Sequence, residues 1–137
     1  MIKEKSLVGV TSLLGHPWSF IRICAISILF FVSVVLIQPE AVFERSQSYD
    51  MMANIATETQ WSIALFLIAC FYTYTLCASH KTLSIVGGLF SFAALSTISL
   101  CFFLSAGLFT PGGALFGAMA MQTLVATFNS AFNWHVV

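Results

Sequence analysis

Four apolar segments, each about as long as a bilayer's hydrocarbon core is thick, constrain this chain most. They cover residues 18–37, 61–79, 83–109 and 111–134. A membrane-spanning helix needs about 20 apolar residues, because the core is about 30 Å thick and a helix rises about 1.5 Å per residue. Arg22 is the only charged residue in any of them. We therefore predict an all-α, polytopic integral membrane protein folded as a four-transmembrane-helix bundle.

The composition agrees with lipid as the solvent of this chain. It is 59% hydrophobic and only 7% charged, and its formal net charge is zero. A soluble domain carries about 25% charged residues, and a chain of this size buries only part of its surface. We predict a single membrane domain over residues 1–137. The lack of net charge gives no reason to expect nucleic acid, and the few ionisable groups predict a protein that is not an enzyme.

The connections between the apolar segments predict their arrangement. Residues 1–17 form an N-terminal interfacial segment, too short to span. The 38–60 loop is acidic and partly helical, with Ser48 as the N-cap of an extension of the second helix. Only residues 80–82 separate the second and third segments, and Thr110 alone separates the third from the fourth. Such short turns predict two hairpins of antiparallel helices.

The distribution of lysine and arginine predicts the orientation in the membrane. Four basic residues fall on one side, namely Lys3, Lys5, Arg22 and Lys81, and only Arg45 falls on the other. Cytoplasmic loops carry the excess of positive charge. Both termini are therefore predicted on the cytoplasmic side, and we expect a bacterial inner (cytoplasmic) membrane or a membrane derived from it.

Five residues near the segment ends are predicted membrane-interface anchors: Trp18, Arg22, Trp61, Lys81 and Trp134. Tryptophan is enriched at both membrane surfaces. Arg22 lies one turn inside the first segment, from where a long side chain can extend to the headgroups.

The stretch "FTPGGALFGAMAMQ", residues 109–122, contains paired glycines that resemble a ligand-binding loop. It matches neither phosphate-binding pattern, GxxxxGK[ST] or GxGxxG. Thr110 suits a helix cap, Pro111 suits the first helical position, and the glycines permit a tight entry. We therefore interpret the stretch as the turn that begins the fourth helix.

Small residues form one face on each of the last two segments. These helix-packing residues are Gly87, Ser91 and Ala94 on the third segment and Gly113, Gly117 and Ala120 on the fourth. Small side chains let two helix backbones approach closely in lipid. We predict that the two faces pack against each other; the alternative is that one of them mediates oligomerisation.

Three amides form a polar face on the fourth segment. Gln122 lies about 180° around the helix from Gly113, and Asn129 and Asn133 lie within about 20° of Gln122. Hydrocarbon cannot satisfy the donors and acceptors of an amide. This face is therefore predicted to meet another helix of the bundle, another subunit, or the water of a pore.

Two neighbouring tyrosines in "FYTYT", residues 71–75, cannot share a helix face. We expect one of Tyr72 and Tyr74 to pack inward with its hydroxyl hydrogen-bonded.

The cysteines and histidines do not predict a metal site or a cofactor. The four cysteines, Cys24, Cys70, Cys77 and Cys101, lie in apolar runs without a CxxC pair and are interpreted as packing residues. The three histidines, His16, His80 and His135, all fall at the predicted cytoplasmic boundary. Because histidine is a common metal ligand, a haem- or metal-binding redox subunit stays among the functional alternatives. It is the weakest of them, because histidines at a membrane boundary are ordinary.

We predict a small, non-catalytic membrane protein that acts as a structural or accessory subunit of a larger membrane complex or homo-oligomer. Its expected partners are the lipid bilayer and either other membrane protein subunits or itself. The main alternative is a holin-like or channel-type pore former, in which the amide face lines water. No helix after the first segment contains a charged residue, which argues against an ion-coupled carrier.

Overall fold

The computed structural model describes residues 17–38, 42–78, 80–106 and 110–132, whose regular elements are all helices. The α-helices are α1 (Pro17–Leu36), α2 (Asp50–Ile55), α3 (Glu58–Cys77), α4 (Lys81–Ala106) and α5 (Pro111–Phe132), with 3-10 turns at Phe43–Arg45 and Gln47–Tyr49. The four long helices α1, α3, α4 and α5 have the length and apolar composition to cross a membrane. The all-helical fold with four candidate spans is thus confirmed. The predicted interfacial segment up to residue 16 lies outside the described residues.

The loop between α1 and α3 differs from the sequence-based expectation. It contains the separate short helix α2, because the chain becomes extended at Ala56 and α3 then starts afresh. A capping box made by Thr57 and Gln60 begins α3, and each of these side chains bonds the backbone N–H of the other residue. Ser48 therefore does not cap an extension of this helix. Ser46 instead accepts a hydrogen bond from the Ser48 backbone at the start of the second 3-10 turn.

The four long helices pack in a ring with α4 as the most enclosed member. Helices α1 and α4 each contact both α3 and α5, they also touch each other across the ring, and the α4–α5 contact is the most extensive. Half of the α4 span is buried, against 22–33% of the other three spans. Consecutive long helices run antiparallel, so the bundle has an Arg22 end and a cap end, where the segment 42–57 lies.

Hydrogen bonds attach the segment 42–57 to the cap end. The Met51 backbone N–H donates to Ser105 Oγ at 3.0 Å, and the Trp61 indole N–H donates to the Met52 carbonyl at 3.0 Å. The Phe43 N–H donates to a Glu58 carboxylate oxygen. Trp61, predicted as a membrane-interface anchor, therefore uses its polar atom within the chain.

A reciprocal serine pair joins α1 to α3. Ser33 Oγ donates to the Ser62 carbonyl at 2.9 Å, and Ser62 Oγ donates to the Ser33 carbonyl at 2.8 Å. Both side chains are buried. Because serine is small, the two backbones come close enough for each hydroxyl to reach across.

We expect Ser62→Ala to lower the free energy of unfolding by about 0.6 kcal/mol, the average for a hydrogen bond between membrane helices. Adding Ser33→Ala should cost less than a second independent loss, because the two serines form one unit. Ser27→Ala is the matched control, since Ser27 is exposed on α1 and bonds only its own helix at Ile23. Unfolding in mixed detergent micelles, followed by circular dichroism, measures the wild type, both single serine variants, the double variant and the Ser27→Ala control. Strictly additive losses would contradict the reciprocal pair.

Candidate functional site

The Arg22 side chain lies inside the bundle. It is only 8% exposed, its Nη1 donates to Ser84 Oγ at 3.2 Å, and its Nη2 donates to the Ala126 carbonyl at 3.4 Å. Arg22 shares a helix face with Ala25 and Leu29, which are fully buried, so the side chain turns inward toward α4 and α5. The structure therefore replaces the predicted headgroup anchor with a buried cation.

No described carboxylate neutralises this cation. The acidic residues in the described ranges are Glu44, Asp50 and Glu58, and all three belong to the cap end. The Arg22 Nε atom is buried and has no hydrogen-bond partner in the described part of the chain. A guanidinium cannot lose its proton in a protein. Ionisable groups within membrane spans are costly and mark functional sites, so this buried charge is the first candidate.

A buried tyrosine lies beside Arg22. Tyr72 of α3 is 0% exposed and interacts electrostatically with the guanidinium. Its hydroxyl interacts with the Thr127 side chain, although the contact falls outside the distance and angle limits of a regular hydrogen bond. The nearby Thr127 hydroxyl donates to the Thr123 carbonyl at 2.7 Å. Tyr72 is thus the tyrosine of "FYTYT" that packs inward, as expected of one of the two, and the Thr127 side chain lies within reach of its hydroxyl.

Two consecutive glycines of α4 allow the neighbouring helices to approach this cluster. A Cβ atom at Gly87 would lie 2.7 Å from Thr75 Oγ1 and 3.0 Å from Tyr72 Cδ2, both on α3. A Cβ atom at Gly88 would lie 2.1 Å from Thr127 Oγ1 on α5. The sequence had predicted that Gly87 packs against α5, but in the structure it faces α3. The adjacent Gly88 makes the closest approach to α5. Sequence reasoning had passed over Gly88.

The other predicted packing residues lie along the interior of α4 and α5. Ser91, Ala94, Gly113 and Ala120 are buried, and Gly117 is half-buried. Ser99 Oγ donates to the Gly113 carbonyl at 2.8 Å and lies 3.0 Å from where a Gly117 Cβ would be. Gly113 and Gly117 of α5 thus meet Ser99, which was not among the predicted packing residues of α4. The Ser91 hydroxyl is buried without a partner in the described chain.

The entry to α5 differs from the predicted cap. The Thr110 carbonyl accepts the first helical hydrogen bond from the Ala114 N–H at 3.1 Å. The Thr110 hydroxyl is buried, lies 3.1 Å from where a Gly113 Cβ would be, and makes no hydrogen bond within the described ranges. Thr110 therefore packs against the glycine and does not cap the helix through its side chain.

The three amides of the predicted polar face do not share one environment in the structure. Gln122 lies at the middle of α5, is exposed, and has no hydrogen bond to any described residue. Asn129 is half-buried and has an interaction partner within the chain. Asn133 lies outside the described residues. Only Gln122 is therefore seen to face away from the bundle, beside the exposed apolar side chains of Met121 and Val125.

Of the remaining predicted membrane-interface anchors, two lie at the Arg22 end of the bundle and one lies outside the described residues. Trp18 is half-buried near the start of α1, and Lys81 is half-buried at the first residue of α4. Trp134 lies outside the described residues. Lys81 precedes Ser84 by three positions, so both lie on one face of α4. This places Lys81 one turn from the serine that Arg22 contacts.

The described cysteines and histidine do not assemble into a cluster. Within residues 17–38, 42–78, 80–106 and 110–132 there is no group of three His, Cys, Asp or Glu side chains that could hold a metal ion. The four cysteines are free thiols. His80 is exposed, and His16 and His135 lie outside the described ranges.

An apolar groove of about 230 Å³ lies between α1, α4 and α5 below the cap. Val32, Leu36, Met52, Phe102 and Phe116 are among its lining residues. A lining of this kind suits a hydrocarbon chain.

No family model matches the sequence, and searches of the curated proteins and of the solved structures give no significant match.

Proposed function

We propose that this chain is a small, non-catalytic integral membrane protein that serves as a structural or accessory subunit of a larger membrane complex or homo-oligomer. The observation that carries the proposal is the exposed amide of Gln122. The contact surface would be the outward face of α5 centred on that residue.

The depth of Gln122 supports a protein partner. It lies roughly 15 Å from either end of α5, at the level of the bilayer midplane. An amide that moves from water into hydrocarbon without a hydrogen bond costs about 4–8 kcal/mol. Neither water nor a headgroup reaches that depth in an intact bilayer. A second helix with a polar group, including a second copy of α5, would satisfy the amide.

The orientation belongs to the same proposal. The excess of lysine and arginine on the terminal side supports cytoplasmic termini and a bacterial inner membrane, with the acidic segment 42–57 on the opposite side.

A pore is the second candidate, and the same amide supports it. Gln122 lies on the outside of the bundle, whereas the interior is filled by side chains such as Leu29, Leu95 and Ile98. A water-filled path would therefore have to form between copies, with Gln122 of each copy facing its axis.

We expect Gln122→Leu to abolish co-purification of the partner subunit, or to convert the oligomer to monomer, in a mild detergent. The reason is that the leucine variant no longer needs a polar partner at mid-bilayer depth. Met121→Leu is the matched control, because Met121 is the exposed neighbour and is already apolar. Size-exclusion chromatography with light scattering, together with mass spectrometry of tagged protein, measures the outcome.

A wild-type protein that is monomeric and free of other proteins would contradict the subunit proposal. Expression in bacterial cells separates the two candidates. Leakage of a membrane-impermeant dye that is lost in Gln122→Leu would favour the pore, and absence of leakage from a stable oligomer would favour the structural subunit.

A further inference from the structure

We propose that the Arg22 end of the bundle binds the phosphate group of one anionic phospholipid, with Arg22 and Lys81 as the cationic contacts and the Ser84 hydroxyl as a neutral donor. The site is independent of the Gln122 surface and does not rest on the proposed function.

The first support is the unbalanced charge of Arg22. Its two described hydrogen bonds go to neutral oxygens, the Ser84 hydroxyl and the Ala126 carbonyl, and its Nε is left without a partner in the described chain. Nε and the adjacent Nη hydrogens form the edge of the guanidinium that binds phosphate or carboxylate in a bidentate manner. A buried cation with a free edge of this kind lacks an anion.

The second support is the set of donors around it. The Tyr72 hydroxyl, which interacts electrostatically with Arg22, is buried and makes no hydrogen bond of regular geometry, its one described neighbour being the Thr127 side chain. Ser84 receives a hydrogen bond from Arg22, which leaves its own proton available for donation. Buried polar groups left unsatisfied in this way indicate a bound ion or water. A phosphate has enough oxygens to accept from both Arg22 and Ser84, which already lie within hydrogen-bond distance of each other.

The third support is the depth of the site. Arg22 lies roughly 7.5 Å along α1 from Pro17, and Lys81 lies one turn closer to the helix ends than Ser84 does. Both cations therefore lie within about two turns of the membrane surface predicted at this end, where a headgroup phosphate is the nearest anion. Anionic lipids are attracted by basic groups near a membrane surface.

A lipid phosphate fits better than the carboxylate of a partner helix. Every leaflet supplies phosphate at this depth, whereas an Asp or Glu in a partner's span carries its own desolvation cost. Two cations with no described carboxylate at this end of the bundle favour a lipid with a net negative charge over a zwitterionic one.

Native mass spectrometry of detergent-solubilised protein tests the proposal. We expect one phosphatidylglycerol to bind the wild-type chain at least about tenfold more tightly than it binds Arg22→Gln, as the loss of one charge-assisted bidentate contact predicts. Phosphatidylcholine should bind the wild type more weakly, and Lys81→Gln should lose less affinity than Arg22→Gln. Arg45→Gln, in the 3-10 turn at the cap end, is the charge-matched control and should bind like the wild type.

A thermal-unfolding series keeps the test valid if a variant is less stable. Added phosphatidylglycerol should raise the Tm of the wild type and of Arg45→Gln but not that of Arg22→Gln, because a ligand stabilises only the state that binds it. Arg22→Lys keeps the positive charge but loses the paired N–H donors of the guanidinium, so added phosphatidylglycerol should raise its Tm by an intermediate amount.

Three results would overturn the lipid assignment. The first is equal binding of phosphatidylglycerol to wild type and Arg22→Gln. The second is displacement of the lipid by millimolar inorganic phosphate, which would assign the site to the free anion. The third is a co-purifying protein lost in Arg22→Gln while lipid binding is unchanged, which would assign Arg22 to a partner's carboxylate.

Discussion

Tyr72→Ala is expected to lower the free energy of unfolding by about 3–5 kcal/mol, the usual range for removing a large aromatic side chain from a packed interior. Tyr72 is the largest of the fully buried side chains and lies against Gly87. Truncation to alanine would leave a cavity between α3 and α4, next to the Arg22 guanidinium. Unfolding in mixed detergent micelles, followed by circular dichroism, gives the loss.

The neighbouring tyrosine supplies the control for this change. Tyr74 is 63% exposed on the same helix, so Tyr74→Ala should change the free energy of unfolding by no more than about 0.5 kcal/mol. Tyr72→Phe should be close to neutral in stability, because the hydroxyl it removes makes no hydrogen bond of regular geometry with a described residue. A large loss in Tyr72→Phe would instead reveal a partner for that hydroxyl, such as the bound phosphate.

Gly88→Ala is expected to lower the free energy of unfolding by about 1–3 kcal/mol or more, the cost of overpacking a tight interior. The new methyl group would lie 2.1 Å from Thr127 Oγ1 and 3.0 Å from its Cγ2, far inside van der Waals contact. Helices α4 and α5 would have to separate at the place where Arg22 reaches Ala126. The variant should therefore lose stability and phospholipid binding together.

A second substitution on the facing helix tests the cause directly. Thr127→Ala removes both atoms that the methyl group meets most closely, so the double variant Gly88→Ala/Thr127→Ala should regain most of the loss. Ala93→Val is the control for added bulk, because Ala93 is exposed on the same helix. A double variant no more stable than Gly88→Ala alone would contradict the close contact at Thr127.

The sequence predicted the number and type of the long helices because apolar length alone decides whether a segment can span a bilayer. Ser91 and Ala94, two of the predicted packing residues on the third segment, are both buried on α4. The sequence did not predict which helix each residue meets. Gly87 and Gly88 are adjacent in sequence, yet one faces α3 and the other α5, because α4 is enclosed from two sides and neighbouring residues point about 100° apart.

Arg22 is the residue for which sequence reasoning and the structure differ most. Near the end of an isolated helix, an arginine side chain is long enough to reach the headgroups, so its position alone suggested an anchor. The one signal that pointed inward was its spacing of three and seven residues from Ala25 and Leu29, which form the buried face of α1.

The sequence by itself determined that this chain forms four helices long and apolar enough to cross a membrane, because its charge deficit and four apolar segments leave few polar side chains to face water. It also marked Gln122 as an amide that needs a partner. Only the tertiary structure decided that Gln122 faces outward from the middle of α5 and that Arg22 is enclosed with Tyr72 and Ser84. The physical reason is that satisfaction of a polar group depends on neighbours from other helices, and packing in three dimensions, not spacing along the chain, brings those neighbours together.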